Sequence, residues 1–485
     1  MSGHLPTEQQ QKLKQIILVC CTLLITILCA FLFVPGNHST ELSSFELDQQ
    51  GQKVGSGPTE FRIYNQQVYV AVPSNGHYVI PEADPKTIHM LSNDGYQTRH
   101  IAVDDRHVYC GNLILNDLNP QAVRSIGDGY LTDGRVTYYC SGGTQLNKDL
   151  SGVRKVWQIL RYSIGIGSKP QTYIYPYFQL AAGKSPYQLT AAGIVSNGEK
   201  TYYRGELIDQ ANGGELRYLQ TYFGNADQVG DSRNYTADGQ HVYFRNEKIP
   251  VKDAPELMTF DFGSGENSEF LYDPRIKQYY YHQYPFPQKN APYQILNKNS
   301  DHAHDPLFLS KQGIWFFNRE KQEVQRISDN PFSEKLIRLG GDIFHDGRDT
   351  FYLGIYDKRV RSGRGSKTCY RSTALYRLSN TPLNLWQKIG DVRYGGGTWS
   401  SGTVWKNGNQ YYYFDEFGSG QGFDQSIYQI KDQRALQIMM NPMQSTDDIR
   451  RYLRGGILLK PQAKRVIQAK YDESFCFSLF DSDDD

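Results

Sequence analysis

The sequence lacks a surplus of charge of either sign. Its 485 residues carry 52 Lys and Arg against 51 Asp and Glu, a net charge of +1. That balance gives no electrostatic reason to expect nucleic acid as a partner. It lacks CxxC pairs and paired Cys/His spacings, which argues against a zinc centre. No serine sits in a G-x-S-x-G elbow. No glycine cluster stands between a strand and a helix, so neither a dinucleotide fingerprint nor a phosphate loop is complete and no cofactor is implied. "GRGSKT", Gly363–Thr368, and the Gly-rich stretch Asp391–Asp424 read as loops, as does the basic run Lys358–Lys367. Long helical periodicity is scarce; the two short candidates are Asp117–Ile126 and Thr446–Arg454, the second with a cap-like Thr and early carboxylates.

Long apolar runs are also missing, with one exception. Ile16 to Val34 carries no charge, and nineteen helical residues rise about 28 Å, close to the hydrocarbon thickness of a bilayer. Lys12 and Lys14 precede the run and Pro35-Gly36 follow it, which places the N-terminus in the cytoplasm and the bulk of the chain outside. A cleaved signal peptide would have a shorter apolar region and a small-residue cleavage site, so an uncleaved single-pass anchor is the expectation. The domain plan is a cytoplasmic 1–15, a membrane helix 16–34, a flexible linker 35–60, a β-repeat domain 61–475 and an acidic tail 476–485.

What is abundant is aromatic and turn chemistry: 36 Tyr, 23 Phe and 45 Gly, as suits an all-β chain. The stretch "ADGQHVYF" from Ala237 has near-copies in "VDDRHVYC" from Val103, "TDGRVTYY" from Thr132, "SNGEKTYY" from Ser196 and "HDGRDTFY" from His345. An Asp-Gly pair is a strong hairpin-turn signal. Gly239 is suited to positive φ, Asp238 can bond the backbone ahead of it, and the aromatic pair puts one ring on each face of the sheet. Asp104, Asp133, Asn197, Asp238 and Asp346 each stand five residues before an aromatic, and looser copies end at Tyr69, Tyr279, Trp315 and Tyr411. The spacing approaches the 40–45 residues of a four-stranded propeller blade. It predicts a β-propeller-like array of antiparallel hairpin repeats with seven or eight blades; an open array of hairpin repeats is the rival.

The repeated Asp-x-x-x-[Val/Thr]-Tyr-Tyr pattern resembles the DKNYY family, bacterial proteins named for a Tyr-rich repeat. The matching residues are "DDRHVYC", "DGRVTYYC", "NGEKTYY" and "DGQHVYF", over roughly Gln97–Phe260; later copies such as "DGRDTFY" fit less well. The resemblance implies a bacterial envelope protein and offers no reaction, substrate or catalytic residue.

Chemistry-bearing candidates are few. "DHAHDP", Asp301–Pro306, puts His302 and His304 at a spacing that points both the same way on an extended strand, as metal ligands can; no third ligand is identifiable, and a polar inter-strand loop is the ordinary reading. Trp399 and Trp405, among glycines, could form an exposed aromatic platform, although most rings in such a repeat fill the space between blades. Asp415-Glu416 point to opposite faces of a strand and cannot share acid–base work. Cys110 and Cys140 close the aromatic strands of adjacent repeats, either as a disulfide or as buried thiols. Asn37 and Asn234 begin glycosylation sequons. The functional expectation is a membrane-anchored binding protein without catalytic activity, in the bacterial inner membrane with its main domain in the periplasm. It would hold a protein or an envelope polymer; one specific form is an immunity-type protein. The alternative is a hydrolase acting on carbohydrate or peptide, with its site in a propeller channel.

Overall fold

The turn-and-ring stretches become the middle hairpins of four-strand antiparallel meanders in the computed structural model. It describes residues 44–473 other than 74, 92–96, 151, 164–165, 224–227, 263–267, 298–301 and 363–364. The chain divides into two compact units at Gly214/Glu215.

The first unit holds four meanders, spanning 52–80, 89–114, 124–179 and 188–208. The second holds five, spanning 217–252, 258–285, 294–328, 337–378 and 386–430. The last two meanders each gain a fifth strand, from Lys464–Asp472 and Leu458–Leu459 respectively. In the second unit the first strands of the 217–252 and 258–285 meanders, Arg217–Phe223 and Met258–Asp261, pair in parallel and fuse two meanders into one sheet.

Every aromatic anchor lies in the third strand of its meander: Tyr69 in Gln67–Val72, Tyr109 in Val108–Cys110, Tyr138 in Thr137–Cys140, Tyr202 in Thr201–Tyr203, Tyr243 in His241–Phe244, Tyr279 in Gln278–Tyr281, Trp315 in Gly313–Asn318, Phe351 in Thr350–Ser362 and Tyr411 in Gln410–Asp415. The described residues therefore contain nine meanders, one for each anchor. Counting the gaps between anchors gives too few, because each anchor is itself one meander.

The two longest anchor spacings hold extra structure. Between Tyr138 and Tyr202 the third meander inserts a strand pair, Gln145–Leu146 with Tyr173–Ile174, and helix α2, Gly152–Ser163. Between Phe351 and Tyr411 the hairpin Thr350–Ser362/Gly365–Leu378 grows to thirteen and fourteen residues. The described residues of the basic run expected in a loop lie in the two strands of this hairpin, where Ser362 pairs with Gly365 and Arg359 is 2.8 Å from Asp357.

Alternation of the third strand assigns its rings to two cores. Tyr138 packs with Val108, Tyr109 and Val68 of the preceding meanders, while Tyr139 packs with Tyr202 and Val195 of the next. Phe351 faces Phe316 and Ile314; its neighbour Tyr352 faces Trp386 and Tyr412. These apolar layers lie between consecutive meanders and belong to both. The last meander covers its outer face with helices α3, Gln433–Met439, and α4, Thr446–Arg454, whose Leu436, Met439 and Ile449 share a core with Tyr413 and Tyr428. A single meander cannot shelter its own faces, which explains why the unit must repeat.

Three expectations need correction. The described part of the linker is structured: helix α1, Ser44–Gln50, buries Leu47, and Val54 is buried beside the strand Gln52–Lys53. Two apolar residues in a polar stretch suffice to dock it. Asp117–Ile126 forms turns and the start of the strand Arg124–Gly127 instead of a helix, and its Leu118 joins the apolar core from a turn. Helix α4, Thr446–Arg454, is present, but its cap is Ser445, whose side chain and that of Asp448 form a reciprocal capping box. The short helix α3, Gln433–Met439, precedes it. No helix among the described residues is long and apolar enough to cross a membrane; the apolar run 16–34 and the tail 476–485 lie outside those residues.

Candidate functional site

The repeated aspartates are the first polar groups to place, because five similar carboxylates or amides could be read as chemistry. Each closes a turn. In the 217–252 meander, Asp238 Oδ1 accepts from Gln240 N (3.0 Å) and His241 N (2.7 Å), and Oδ2 accepts from the Tyr243 hydroxyl (2.8 Å). Gly239 occupies φ +86°, which lets the two-residue turn close without a Cβ penalty. Asp104 repeats the pattern with Arg106 N, His107 N and the Tyr109 hydroxyl, and Oδ2 also accepts from Asp84 N (3.0 Å). Asp133, Asn197 and Asp346 hold their own turn amides in the same way. Burial alone would raise the Asp104 pKa, but these hydrogen bonds outweigh it and hold the carboxyl below its usual range. The motif is a buried clasp between a turn and the ring of the next strand.

His302 is the centre of the densest polar cluster. It precedes the strand Phe308–Ser310, and its ring is buried. Its Nε2 lies 2.9 Å from Asp415 Oδ2 and its Nδ1 lies 3.4 Å from Asp342 Oδ2. Asp342 stands in the turn before Ile343–His345, and Asp415 ends Gln410–Asp415. One imidazole therefore joins the 294–328, 337–378 and 386–430 meanders. Burial pushes its pKa down, but the bonds to Asp342 and Asp415 and their charges prevail and raise it to about 9. His302 is an imidazolium held between two carboxylates, a form with no lone pair for a metal.

His304 does not share that site. Its Nε2 is 2.6 Å from Asp357 Oδ1, and burial of the ring lowers its pKa despite the carboxylate. Asp305 pairs with Arg319 at 2.8 Å. Alternation on a strand predicts two parallel imidazoles; the segment is a loop, so each side chain instead reaches a different strand. The carboxylates that complete the histidine pairs lie 40 residues (Asp342) and 113 residues (Asp415) from His302 and 53 residues (Asp357) from His304, distances at which one sequence gives no pairing signal. Asp415 also accepts from Gly418 N (2.8 Å), so it opens a turn as well as holding His302.

The tryptophans separate too. Trp399 begins the strand Trp399–Asn407 and is 62% exposed. Trp405 stacks on Phe414 (centroids 5.2 Å, 17°) and donates Nε1–H to Thr403 Oγ1 (2.9 Å). Of these two, Trp399 presents an open indole; the glycine turn Gly395–Gly397 before it, all three at positive φ, sets it at a strand end.

Cys110 and Cys140 form a disulfide across adjacent third strands, with Cα atoms 6.0 Å apart. Cys369 is disulfide-bonded as well. His100 lies against the Cys110–Cys140 bridge, and the three donor atoms are within 4.8 Å of one another. Among the described residues this is the one such cluster, and the sequence reading missed His100. The two sulfurs are bonded to each other, so neither is a thiolate ligand. Burial lowers the His100 pKa to about 4, and its neutral ring stacks on Tyr175 (4.6 Å). Asn234 is buried and donates Nδ2–H to Glu269 Oε2 (3.0 Å), which closes it to glycosylation in the folded chain; Asn37 and Asp301 lie outside the described residues.

A model of the DKNYY family matches residues 61–247, from the first meander into the last strand of the fifth. The resemblance read from the repeats holds over that stretch, and the later, divergent copies fall beyond it. A comparison with curated proteins finds no match.

Proposed function

We propose that this chain, similar to the DKNYY family over residues 61–247, is a membrane-tethered binding protein without catalytic activity. In this reading Ile16 to Val34 anchors it in a bacterial inner membrane, and the meanders stack as a propeller-like array on the periplasmic side. The array holds a protein or a cell-envelope polymer; neutralising a toxin, as an immunity protein does, is one form of that role. The observation that carries the reading is how the reactive side chains are used. His302, Asp342 and Asp415, and the aspartates of the repeat, are buried and committed to bonds that hold turns and sheets together. The open indole of Trp399 suits contact better than chemistry.

The test is a photo-crosslinking capture from native membranes, using the full chain with a crosslinking residue at Ser400. A partner captured by the parent and lost from Trp399→Ala supports the reading. Turnover of a glycan or peptide by the purified full chain, abolished in His302→Gln or Asp415→Asn variants that retain the fold, overturns it.

A further inference from the structure

Helix α2 is built the wrong way round for a surface helix. Such helices turn an apolar stripe to the core and polar residues to water. Here no residue is buried. Val153 is 86% exposed and Trp157 61%, with Val156 and Ile159 also exposed, while Lys155, Gln158, Leu160 and Tyr162 are half-buried. At 3.6 residues per turn, Val153, Val156, Trp157 and Leu160 fall within about 100° of arc, and Lys155, Gln158 and Tyr162 fall on the other side. The polar side of the helix carries half-buried residues, and its apolar side turns Val153, Val156 and Trp157 outward around a half-buried Leu160.

Charge distinguishes what could cover that stripe. Between Asp149 and Glu199 the chain has no acidic residue and five basic ones, Arg154, Lys155, Arg161, Lys169 and Lys184. The whole chain is nearly neutral, so this stretch is locally basic; Lys184 pairs with Glu199 and Lys169 lies over Tyr78, and Arg154, Lys155 and Arg161 are on the helix itself. Arg154 and Arg161 flank the Trp157 edge of the stripe on the same helical projection. An apolar stripe with an indole and a cationic rim matches the boundary between headgroups and acyl chains of an anionic bilayer. Tryptophan itself favours that boundary.

We infer that α2 lies in the interface of an anionic lipid bilayer and forms a second attachment besides the N-terminal apolar run. This rests on the reading that the chain works at a membrane, and adds a separate contact with its own lipid requirement. It also accounts for the insertion: the strand pair Gln145–Leu146/Tyr173–Ile174 forms the neck of an excursion whose helix contributes nothing to the apolar core.

The experiment uses the full chain reconstituted in vesicles with brominated acyl chains, made either of phosphatidylcholine alone or of phosphatidylcholine with phosphatidylglycerol. The chain has five tryptophans, so the Trp157 signal is the difference between the parent and Trp157→Phe. The expected result in anionic vesicles is a blue-shifted Trp157 component quenched by half or more. Quenching should fall at least twofold in phosphatidylcholine alone and in an Arg154→Gln/Arg161→Gln variant. A Val153→Asp/Val156→Asp variant should abolish it; both side chains face solvent, and circular dichroism checks that the fold is kept. A Trp157 component that stays open to aqueous iodide in anionic vesicles overturns the inference, as does equal quenching in both lipids. Resistance to alkaline extraction reads the N-terminal anchor separately. Extraction with Trp157 quenching retained removes the anchor and keeps α2; resistance without quenching does the reverse.

Discussion

Removing one hydroxyl should loosen a whole meander. Tyr109→Phe deletes the O–H that donates to Asp104 Oδ2 at 2.7 Å, and both residues are buried. A hydrogen bond to a charged group is worth about 1.5–3 kcal/mol, so the single variant should lose that much local stability. Asp104→Asn keeps Oδ1 for the amides of Arg106 and His107 but turns an N–H2 toward Asp84 N–H and the tyrosine hydroxyl. Leaving a buried donor unpaired costs about 1–3 kcal/mol. The hydroxyl has a fallback in His107 Nδ1, 3.3 Å away, which should hold the coupling between the two substitutions to about 1–2 kcal/mol. Amide exchange of peptides covering 101–115 in the full chain reads the opening free energy of this meander in the four variants. Coupling below about 0.5 kcal/mol would mean that the clasp is only packing, and would refute the reasoning. Acid adds a second readout. The Asp104 pKa is depressed on folding, so its contribution is present above the unfolded value of about 3.9 and is lost as pH falls through the lower folded value. Asp104→Asn should flatten that acid limb.

Three further outcomes follow from the same geometry. The His302 pKa rises on folding to about 9, so its contribution is complete below about pH 6.5 and is lost as pH rises through 9; denaturation of the second unit, followed by its four tryptophans, should show an alkaline loss that His302→Gln removes. Replacing Cys110 and Cys140 together by alanine opens a loop of sequence separation 30, for which the chain-entropy relation gives about 3–4 kcal/mol; a denaturant midpoint unchanged for the first unit would contradict a structural disulfide. Expression through a eukaryotic secretory pathway should add no glycan at Asn234, because its amide is bonded to Glu269 inside the sheet; mass spectrometry of the peptide decides this, and an occupied Asn234 would mean that the fold forms after modification.

The sequence reading reached the architecture through local signals. The Asp-Gly turn, positive φ at Gly239 and alternation of paired rings are all set within a few residues, and all are where the pattern puts them. What it missed depends on contacts between distant strands. His302 and Asp415 are 113 residues apart in sequence, and nothing near either one announces the other. Trp405 looks like Trp399 in composition, yet Phe414 on the next strand takes its ring. Helix α2 has clear amphipathic periodicity, but its context of Gly, Ser and repeats concealed it, and its outward apolar face cannot be read from a pattern that says only which residues share a side.

The irregular copies explain how such a repeat can drift without collapsing. One oxygen of the turn residue always serves the two amides just ahead of it, a bond made entirely within the turn. The other group faces the space before the next ring, and there the partner changes. Tyr109 and Tyr243 supply a hydroxyl; Phe351 cannot, and Ser333 provides both N–H (2.9 Å) and O–H (2.7 Å) to Asp346 instead. Asp133 accepts from Asn119 N, while Tyr138 turns its hydroxyl to Asp117. Ser310 and Trp315 keep the five-residue spacing with other chemistry: the indole N–H donates to Ser310 Oγ at 3.0 Å, and Gln312 N donates to the same oxygen at 3.1 Å. The copies at Asp104, Asp133, Asp238, Asp346 and Ser310 share an acceptor at the turn, a buried ring five residues on and a nearby donor that closes the gap, whereas Asn197 keeps only the two turn amides. Substitution of one donor can therefore be compensated from a neighbouring loop, and the motif can fade from sequence in the later meanders while the four-strand sheet persists.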